Sequence, residues 1–515
     1  MENKVVLMIV GHGAWNGGKL VDNSIFEKRG MFFKNNVPVN HKTIEERIGV
    51  RTRVLAPDDM RIGQLALQNL FETADIDPAR IKLFIGATNV GDDKYEPGPF
   101  ISQPFQSVRH HCPKAIAFDL YAGCPGFNVS VELIFMLSLS GVLERGDISV
   151  IIGAENVHRA EAFKPHDTAS IIFGDDALAT ALETKASLKP IGKYICGEKV
   201  KRPLKKNIAA DIARLIFELN DSDRIEGIII DNQLGKIAHR VPATAARVQK
   251  ELIHLMYPEE TSVKNFNRFQ TALKFYDQNV NSFAFDIMSI EQDTSVLDNV
   301  ARAYIESGKY RTIAAGYLAS DLSIEVRIHK GQGFTPHKPQ AGIIDTLTRT
   351  HGCFADFIQV IPDSEDIFGE MNGKGVFLYA TRGAKNHLAE LLGRNKLTID
   401  DIELLIEHQA NFAMIPMTLE KLFEGHRSDA GKAAVDYLAN KMITNIHNRG
   451  NCSVVCMQRL PYDLERGALK EDTIQGYPIN RNLENLKHAK LILNDSVGAG
   501  MTRSSVLQKI DIRNY

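Results

Sequence analysis

The sequence predicts an α/β protein that is built around a largely parallel, helix-covered sheet and divided into two or more domains. Short apolar runs, typical of buried strands, alternate along the chain with longer amphipathic or apolar helical segments. This strand–helix–strand order is the pattern of βαβ units. The chain also has 515 residues, which exceeds the size at which a single hydrophobic core normally stops growing.

The individual elements follow from this alternation of apolar runs. Strands are predicted at Lys4–Val10, Ile81–Ala87, Ala115–Leu120, Ile148–Ala154, Ile402–Ile406 and Leu491–Leu493, helices at Leu65–Glu72, Phe127–Leu143, Val376–Leu392 and Phe412–Phe423, and a strand–turn–strand at Thr168–Leu182. Gly11 and Gly13 do not form a dinucleotide-binding fingerprint, because Asn16 stands where the third glycine is required. We therefore expect Gly11–Gly13 to be a plain loop.

The stretch Ala117–Gly146 is the centre of the chain. Its strand leads through a tight Ala-Gly-Cys-Pro-Gly turn into a segment that is apolar on nearly every side, which predicts a buried helix. The turn places Cys124 at the start of that helix, where free N–H groups and the helix dipole favour a thiolate. Cys124 is either a nucleophile or a small buried apolar residue, and this stretch alone supports both interpretations.

The segment from about Lys189 to Lys330 repeats the same pattern. The sequence AFDLYAGCPGFNVSVEL, which contains Cys124, is echoed by AFDIMSIEQDTSVLDNV at Ala284–Val300. When the two are aligned at Ala-Phe-Asp, Glu291 stands opposite Cys124. We interpret the segment as an internal duplicate of the first βαβ layout that lacks the nucleophile, although general similarity among βαβ units would produce the same echo.

Three polar features of the last third follow predicted strands or turns. His408 lies at a strand-to-helix junction, which is where open α/β sheets place their chemistry, but taken alone it is better explained as a hydrogen-bonded structural histidine. Asn451 follows a glycine in a polar turn. The loop Gly498–Gly500 can bring backbone N–H groups to an oxyanion.

Composition excludes several classes of function. The chain is 44% hydrophobic and 24% charged with a net charge of −2, which does not suggest a nucleic-acid-binding or membrane-surface protein. Six scattered cysteines favour a reducing, cytoplasmic location, and neither the N-terminal apolar run nor Val129–Leu143 is long enough for a signal peptide or a membrane span. His447, Cys452 and Cys456 match no zinc-binding pattern, so we expect no metal.

Six short segments, taken in order, resemble the thiolase superfamily, and most closely β-ketoacyl-acyl-carrier-protein synthase III and its relatives. The matching segments are Arg47–Arg51 (RIGVR), Ala122–Phe127 (AGCPGF), Ile171–Asp175 (IIFGD), Glu407–Asn411 (EHQAN), Gly450-Asn451 and Gly498–Gly500. They span most of residues 1–185 and 345–515. The combination of AGCPGF with HQAN is specific, and chance agreement at six ordered places is improbable.

The resemblance implies an acyltransferase with three catalytic residues. Cys124 would attack an acyl thioester, and His408 and Asn451 would bind the carbonyl of a malonyl-type extender while CO₂ leaves. Backbone N–H groups at Cys124 and in the loop containing Gly498 and Gly500 would hold the oxyanion. The same resemblance makes Arg47 a substrate contact, through phosphate, and Asn411 a further substrate-site residue with a local anchoring role.

The resemblance also implies a fold and partners. The expected architecture is a thiolase-like five-layer α-β-α-β-α fold of two similar halves, residues 1–188 with the nucleophile and residues 336–515 with His408 and Asn451. A large inserted α/β segment, residues 189–335, separates them. It would act as an internal pseudo-partner, cover the usual dimer surface, shape the acyl tunnel, or be an inert decoration. Expected partners are acyl carrier protein or coenzyme A thioesters, in a homodimer or a heteromer, with no cofactor and no nucleic acid.

Three departures from the family pattern affect the expected substrate and assembly. The family commonly clamps the coenzyme A adenine between a Trp and an Arg, whereas this chain has Thr43 and approximately Asp167 at those positions and its only tryptophan is Trp15. This difference favours a carrier-protein-bound donor. A second carboxylate, Asp176, replaces the usual Gly after Phe-Gly-Asp, and the inserted segment is the third departure.

The leading interpretation is therefore a condensing enzyme of fatty acid, polyketide or specialised lipid assembly. Relatives of this family also transfer acyl groups to oxygen, nitrogen or sulfur without forming a carbon–carbon bond, and such enzymes retain Cys and His. A non-catalytic, condensing-enzyme-like partner subunit is the alternative from a different class. Malonyl decarboxylation and acylation of Cys124 are the properties that separate these three.

Overall fold

The architecture is described from a computed structural model. It describes residues 5–33, 36–57, 60–91, 99–158, 163–164, 167–204, 207–220, 224–235, 240–262, 268–332, 337–360 and 368–510. Lys4, the first residue of the first predicted strand, and the predicted boundary at 335/336 lie outside these ranges.

The first part of the chain contributes strands to one sheet and the helices that cover it. In chain order its elements are β1 (Leu7–Ala14), β2 (Lys19–Asp22), α1 (Ser24–Glu27), β3 (Phe32–Phe33), β4 (Val37–Pro38), α2 (His41–Ile48), β5 (Thr52–Leu55), α3 (Ile62–Thr73), β6 (Ile81–Gly91), α4 (Ser102–Val108), β7 (Ile116–Tyr121), α5 (Gly126–Leu139), β8 (Ile148–Glu155) and β9 (Asp176–Thr184). β6 pairs in parallel with β7 and β8, whereas β9 pairs antiparallel with β8 and β1. Helices cover both faces, which explains why β6–β8 are nearly continuous apolar runs.

Residues 193–332 add a second set of elements to the same sheet. They are β10 (Lys193–Pro203), α6 (Ile208–Leu219), β11 (Gly227–Asn232), α7 (Thr244–Met256), α8 (Phe269–Phe275), β12 (Phe283–Ser289), α9 (Thr294–Glu306), β13 (Thr312–Leu318) and β14 (Ser323–Gln332). The resulting ten-stranded sheet has the order β1-β9-β8-β6-β7-β12-β11-β13-β14-β10. At its centre β7 and β12 pair antiparallel.

The last part of the chain builds a second sheet. Its elements are β15 (Gly342–Thr350), β16 (Ile358–Val360), β17 (Gly369–Met371), α10 (Gly373–Arg394), β18 (Leu404–Glu407), α11 (Met414–Phe423), α12 (Ala430–Lys441), α13 (Ile446–Arg449), α14 (Cys456–Glu465), β19 (Asp472–Ile474), β20 (Tyr477–Ile479), α15 (Leu483–Lys487), β21 (Leu491–Gly498) and β22 (Thr502–Lys509). Four of these strands form a sheet of order β15-β22-β21-β18. β18 and β21 are parallel neighbours, so the polar residues that follow both strands lie at one edge.

The two sheets are stacked with helices between and outside them. α3 packs on β1, β8 and β9, while α5 packs against β6–β8 of the large sheet and against β15, β21 and β22 of the small one. α14 also packs against α5 and lies against strands of both sheets, and α10 covers the far face of the small sheet. The layers therefore succeed one another as helix, sheet, helix, sheet and helix, and the start of α5 lies between the two sheets.

The central helix α5 is buried along its whole length. All 14 of its residues are buried, as its uniformly apolar sequence predicts. Its one carboxylate, Glu132, accepts hydrogen bonds from the Tyr310 hydroxyl at 2.8 Å and the Thr348 hydroxyl at 2.9 Å. These bonds satisfy a charged group that would otherwise be costly to bury. In the part of the chain that the structure describes, neither α5 nor any other helix is long and apolar enough to cross a membrane.

The prediction of a loop at Gly11–Gly13 was wrong. These residues continue β1 and pair with Ala181, Thr180 and Ala179 of β9. The glycine is required here by packing, because a Cβ at Gly13 would lie 2.0 Å from the backbone nitrogen of Leu70 in α3. Close approach of helix and strand, not a turn, accounts for this glycine.

The first strand predicted within Thr168–Leu182 is also absent. Thr168–Ile171 forms a 3₁₀ helix, because the side chain of Asp167 accepts a hydrogen bond from the backbone N–H of Ala169 and caps its first turn. Phe173 makes only an isolated parallel bridge with Asn451. The second predicted strand exists as β9.

Candidate active site

Cys124 lies in the turn between β7 and α5 and is partly accessible. Gly123 makes the turn with φ of 71°, a backbone conformation that side chains other than glycine rarely adopt. The backbone N–H of Gly126 donates to the Gly123 carbonyl at 2.9 Å, which closes the turn around the cysteine. The sulfur is thus held just before the first turn of a buried helix, whose N–H groups favour negative charge.

The loop after β21 packs directly against the cysteine turn, backbone to backbone. A Cβ at Gly498 would lie 2.4 Å from the Cys124 nitrogen, and a Cβ at Gly123 would lie 2.5 Å from the Ala499 nitrogen. Gly500 has φ of 80°. Glycines at these positions are therefore required for the close approach. The approach places the backbone nitrogens of Cys124 and Ala499 in two loops that are in contact with each other.

Ser453 is the direct hydrogen-bonding partner of the cysteine. Its hydroxyl donates to the Cys124 sulfur at 3.4 Å. The Asn89 side-chain amide donates both to the Ser453 oxygen at 3.1 Å and to the Glu155 carboxylate at 2.7 Å. The Ser453 hydroxyl also interacts with the Glu155 carboxylate, so Glu155 and the Cys124 sulfur are both acceptors for the serine. Burial raises the pKa of Glu155 to about 7, although hydrogen bonds from Asn89 oppose this shift.

His408 is buried immediately after β18, beside the same sulfur. Its backbone N–H donates to the Asp495 carbonyl at 2.9 Å, which fixes the junction to the neighbouring strand. Both ring nitrogens are buried and lack a well-formed hydrogen bond to any atom of the described chain. Burial by itself lowers the pKa of His408, but negative charge on the thiols of Cys124 and Cys456 raises it to about 10. The thiols of Cys124 and Cys456 are therefore the partners of this imidazolium, which has no nitrogen or oxygen acceptor among the described residues.

Asn451 is fixed by the segment that contains the IIFGD motif. Its backbone N–H donates to the Ile172 carbonyl at 2.9 Å, and its own carbonyl accepts from the Gly174 N–H at 3.1 Å. The side-chain oxygen accepts from the Ser453 backbone N–H at 2.7 Å. This bond orients the amide, because it assigns the oxygen to the protein and leaves the NH₂ group as the donor available to a substrate.

A second thiol also belongs to the site. The Cys456 sulfur lies 3.8 Å from the Asn451 side-chain oxygen and next to His408. Hydrogen bonding from Cys452 and the adjacent imidazolium of His408 lower the pKa of Cys456. Sequence reasoning missed both Cys456 and Ser453. Their only signal was that both follow Asn451 closely in the sequence.

An apolar cavity opens beside the cysteine. Its volume is about 70 Å³ and its surface is almost entirely apolar. The side chains that form its walls come from three separate parts of the chain: Val90, Val157, Phe173, Val241, Val360 and Met371. Cys124 and Ser453 lie at its polar end. The arrangement suits a nucleophile with a small apolar group attached to it.

Two residues predicted to bind substrate lie outside this cavity. Arg47 is exposed in the last turn of α2, with its guanidinium 4.8 Å from the centroid of the Phe33 ring. The Asn411 side-chain oxygen accepts from the Ala413 N–H at 3.0 Å and its NH₂ group donates to the Arg47 carbonyl at 3.3 Å. Asn411 therefore holds the loop beside Arg47, consistent with the anchoring role that the resemblance implies.

The positions of the family's adenine clamp are occupied by helix caps. Asn40 and Thr43 form a reciprocal capping box at the start of α2, and Asp167 caps the following 3₁₀ turn. Trp15 is only 3% exposed. None of these side chains offers a surface on which an adenine ring could stack.

The extra carboxylate, Asp176, belongs to a buried ion cluster. It accepts hydrogen bonds from Arg459 at 2.9 Å and from Arg449 at 3.2 Å. Burial by itself raises the pKa of Asp176, but the two guanidinium groups outweigh it and hold the pKa below its ordinary value. Arg449 directly precedes the Gly450-Asn451 turn. The ion cluster therefore helps to hold Asn451 in position.

Among the residues with described positions, no group of three or more His, Cys, Asp or Glu side chains is arranged to hold a metal ion. His447 lies 3.5 Å from the Asp472 carboxylate, apart from the thiol of Cys452, which faces the backbone carbonyls of Arg449 and Gly450.

Comparisons with known proteins point to one family. No family model matches the chain. The chain is 25% identical over 359 residues to β-ketoacyl-[acyl-carrier-protein] synthase III of Campylobacter jejuni (strain 81-176), covering 64% of this chain and 99% of the relative. It is 26% identical over 304 residues to the synthase III of Sulfurovum sp. (strain NBC37-1), covering 54% of this chain and 80% of the relative. The crystal structure of 3-oxoacyl-[acyl-carrier-protein] synthase III from Aquifex aeolicus superposes with a TM-score of 0.52 at 15% identity, covering 98% of this chain and 99% of that one.

These similarities and the layered sheets define the class of fold, which is mixed α/β and thiolase-like. Within that class the chain is a distant homologue of β-ketoacyl-[acyl-carrier-protein] synthase III. The predicted family resemblance is confirmed.

Proposed function

We propose that this protein is an acyltransferase that forms an acyl thioester on Cys124 and condenses it with a malonyl-type thioester. The reaction releases CO₂ and gives a β-ketoacyl product for fatty acid, polyketide or specialised lipid biosynthesis. Residues 1–188 supply the nucleophile, and residues 336–515 supply His408 and Asn451.

One observation carries the proposal. The buried ring of His408 lies beside the Cys124 sulfur with both nitrogens lacking a well-formed hydrogen bond to the described chain. The partners beside the ring are the sulfur atoms of Cys124 and Cys456, so the ring is placed to donate to a carbonyl oxygen that binds next to the nucleophile. The neighbouring amide of Asn451, oriented by the Ser453 N–H, offers a second donor to the same ligand.

In the first half-reaction the Cys124 thiolate attacks the carbonyl carbon of the donor thioester. The tetrahedral oxyanion accepts hydrogen bonds from the Cys124 N–H and the N–H groups of the Gly498–Gly500 loop; one such donor typically contributes about 10²–10³ in rate. The carbon–sulfur bond to the carrier then breaks, and the carrier leaves as a thiolate that takes a proton from water. The acyl group occupies the apolar cavity of about 70 Å³.

In the second half-reaction the extender carbonyl lies between His408 and Asn451. Breaking of the bond to the carboxylate releases CO₂ and leaves its electron pair in an enolate, whose oxygen accepts from both side chains. The enolate carbon attacks the acyl carbonyl on Cys124 and forms the new carbon–carbon bond. The thiolate of Cys124 is the leaving group, so the enzyme returns to its starting state.

The capped positions around Thr43 and Asp167, together with buried Trp15, favour a donor bound to carrier protein over free acyl coenzyme A. The side chain of Arg47 is exposed on the same helix as Thr43, and it suits a phosphate contact. Substitution of Arg47 by Ala should raise KM for the carrier-bound donor with little change in kcat, because the phosphate is remote from the reacting carbonyl.

Intact-protein mass after incubation with acyl coenzyme A and acyl-carrier donors tests the first half-reaction. We expect an acyl mass shift in the native protein and none in the Cys124→Ala variant. Absence of a shift with every donor, on protein verified as folded, would overturn the acyl-enzyme proposal and favour a non-catalytic partner subunit.

Release of CO₂ from a malonyl thioester tests the second half-reaction. His408→Ala and Asn451→Ala should abolish decarboxylation and retain a mass shift on Cys124, whereas Cys124→Gln should retain decarboxylation without condensation. A native protein that is acylated but releases no CO₂ would instead transfer acyl groups to an oxygen, nitrogen or sulfur acceptor.

A further inference from the structure

The inserted segment (residues 189–335) has the same topology as the first part of the chain. In the first part the sheet order is β1-β9-β8-β6-β7, and in the inserted segment it is β10-β14-β13-β11-β12. Both orders place the first strand of the set, β1 or β10, at the outer edge of the sheet. The third strand, β7 or β12, lies at the seam, which is the place where the two sets pair with each other. The pattern of parallel and antiparallel pairs is also the same.

The seam between the two sets has a local two-fold relationship. When Ala117–Asp119 is aligned with Ala284–Asp286, Leu120 corresponds to Ile287, and these two residues are paired with each other. The flanking pairs, Tyr121 with Asp286 and Asp119 with Met288, exchange with one another under the same correspondence. Self-complementary pairing of equivalent residues is the property of an interface between two copies of one surface.

Asp119 and Asp286, which stand at equivalent positions, make equivalent hydrogen bonds on the two sides of the seam. Asp119 accepts hydrogen bonds from the backbone N–H groups of Phe100 and Ile101, just before α4. Asp286 accepts at 2.8 Å from the N–H groups of Thr244 and Ala245, at the start of α7. In each set the third strand thus satisfies backbone N–H groups at the start of an earlier helix. General βαβ similarity does not require this match.

The inserted segment also forms part of the candidate active site. Val241, which precedes α7, lines the apolar cavity beside Cys124. The Val241 carbonyl accepts a hydrogen bond at 2.8 Å from the backbone N–H of Val360, which lines the same cavity from the other part of the chain. Arg247 in α7 donates to the Val360 carbonyl at 3.2 Å. These bonds fasten the inserted segment to the cavity wall.

We infer that the inserted segment is an internal half-partner: it covers the β7 edge where a second copy would pair and supplies, through Val241, one wall of the acyl pocket in cis. The acyl occupant rests on the proposed function.

The inserted segment has no cysteine at the position equivalent to Cys124. Glu291 stands there, and it is exposed before α9. His408 lies beside Cys124, and Asn451 is linked to it through Ser453. The duplicate therefore contributes a wall of the cavity and covers the edge of the sheet.

Alkylation of Cys124 by ethyl and hexyl methanethiosulfonate measures the pocket without enzymatic chemistry. The thiolate forms a mixed disulfide with the alkyl sulfur and methanesulfinate leaves, so the rate reports access and fit. Peptide mass analysis restricts the readout to Cys124. Val241→Phe should slow the hexyl reagent about tenfold more than the ethyl reagent, and Val241→Ala should shift the ratio in the opposite direction. Val200→Ala, in β10 at the far edge of the sheet, is the matched control.

Equal hexyl-to-ethyl ratios in the Val241 variants and in the control would overturn the inference. A different result separates the two proposals. If no acyl donor modifies Cys124 but the hexyl-to-ethyl ratio still depends on Val241, the proposed function is overturned, whereas the assignment of Val241 to the pocket wall stands. Mixing Cys124→Ala with Val241→Phe tests the cis assignment. We expect no recovery of hexyl labelling in the mixture; recovery would mean that the wall is donated between chains.

Discussion

The hydroxyl of Ser453 donates a hydrogen bond to the sulfur of Cys124 at 3.4 Å, across 329 positions of sequence. The serine has φ of 50°, an unfavourable backbone conformation for a residue with a side chain. The turn after Asn451 holds it there: the Ser453 N–H donates to the Asn451 side chain, and Asn89 donates to its hydroxyl. The strained turn thus holds the Ser453 hydroxyl within hydrogen-bonding distance of the Cys124 sulfur.

Ser453→Ala should lower the reactivity of Cys124. A hydrogen bond to a charged group contributes about 1.5–3 kcal/mol, so loss of this bond from the thiolate should slow alkylation by iodoacetamide at neutral pH about tenfold or more. The measurement is the alkylation rate of Cys124 by peptide mass analysis. Ser107→Ala, which removes a hydroxyl bonded only to the Pro104 carbonyl in α4, should leave that rate unchanged. A Ser453→Ala rate equal to that of the control would show that the sulfur does not depend on the serine.

His408→Gln should change the pH dependence of CO₂ release from a malonyl thioester. In the native protein His408 remains protonated below its pKa of about 10, so both ring N–H groups can donate; the rate should be nearly flat from about pH 6 to 9 and change as pH rises through 10. The glutamine side chain does not titrate, so the variant should lack the change near pH 10. A native profile without that change would contradict the protonated state of His408.

The same histidine links stability to pH. Its folded pKa is raised from 6.5 to about 10, so its contribution to the free energy of unfolding is fully present below pH 6.5 and is lost as pH rises through 10. Urea unfolding at a series of pH values should show this decline in the native protein and a smaller decline in His408→Gln. Equal slopes would mean that the imidazolium is not stabilised in the folded state.

The elements that the sequence predicted well are those in which local pattern and tertiary burial agree. α5 was predicted at Phe127–Leu143 and is found at Gly126–Leu139, because it is apolar on all sides and buried on all sides. It ends earlier than its apolar pattern because Gly141 adopts φ of 78° and breaks the helix. The periodicity of apolar residues does not reveal where a helix ends. A glycine near the end of the apolar segment does, because it can adopt the conformation that terminates a helix.

The sequence could not predict features that depend on contacts between distant segments. Gly13 looks like a loop residue by composition, and only its distance from Leu70 in α3 explains it. Ser453 and Cys456 follow the predicted Asn451, but nothing local distinguishes them from ordinary turn and helix residues. Val241 lies far from Cys124 in the sequence and lines the same cavity in the fold. Cys124, His408 and Asn451 were predicted because they carry recognisable motifs; the structure places His408 beside the Cys124 sulfur and links Asn451 to it through Ser453.

Asp176→Asn should destabilise the fold and weaken the support of Asn451. Removal of one partner from a buried ion cluster costs about 3–5 kcal/mol, because Arg459 and Arg449 would remain buried without their full counter-charge. Burial raises the pKa of Asp176 but its arginine partners hold it below 3.8, so the stabilisation is present above pH 3.8 and is lost as pH falls through the folded value. Urea unfolding near neutral pH should show the loss, and the difference from native protein should shrink in acid.

Exposed Asp436 in α12 provides the matched control for this charge removal. Asp436→Asn should change the free energy of unfolding by no more than about 0.5 kcal/mol. If Asp176→Asn behaves like the control, the buried cluster does not stabilise the turn that carries Asn451.

Gly498→Ala should block acylation and leave the fold largely intact. The added Cβ would lie 2.4 Å from the backbone nitrogen of Cys124 and 2.8 Å from its Cβ, so one of the two loops must move away. This movement would displace oxyanion donors and should slow acyl transfer to Cys124 by about 10² or more. Gly393→Ala is the control, since no atom lies within 4 Å of a Cβ there and the residue is inside α10. That variant should acylate normally and gain about 0.5–1 kcal/mol of stability. Normal acylation of Gly498→Ala would contradict the assignment of the Gly498–Gly500 loop to the oxyanion site, because the two backbones could then separate without cost to the reaction.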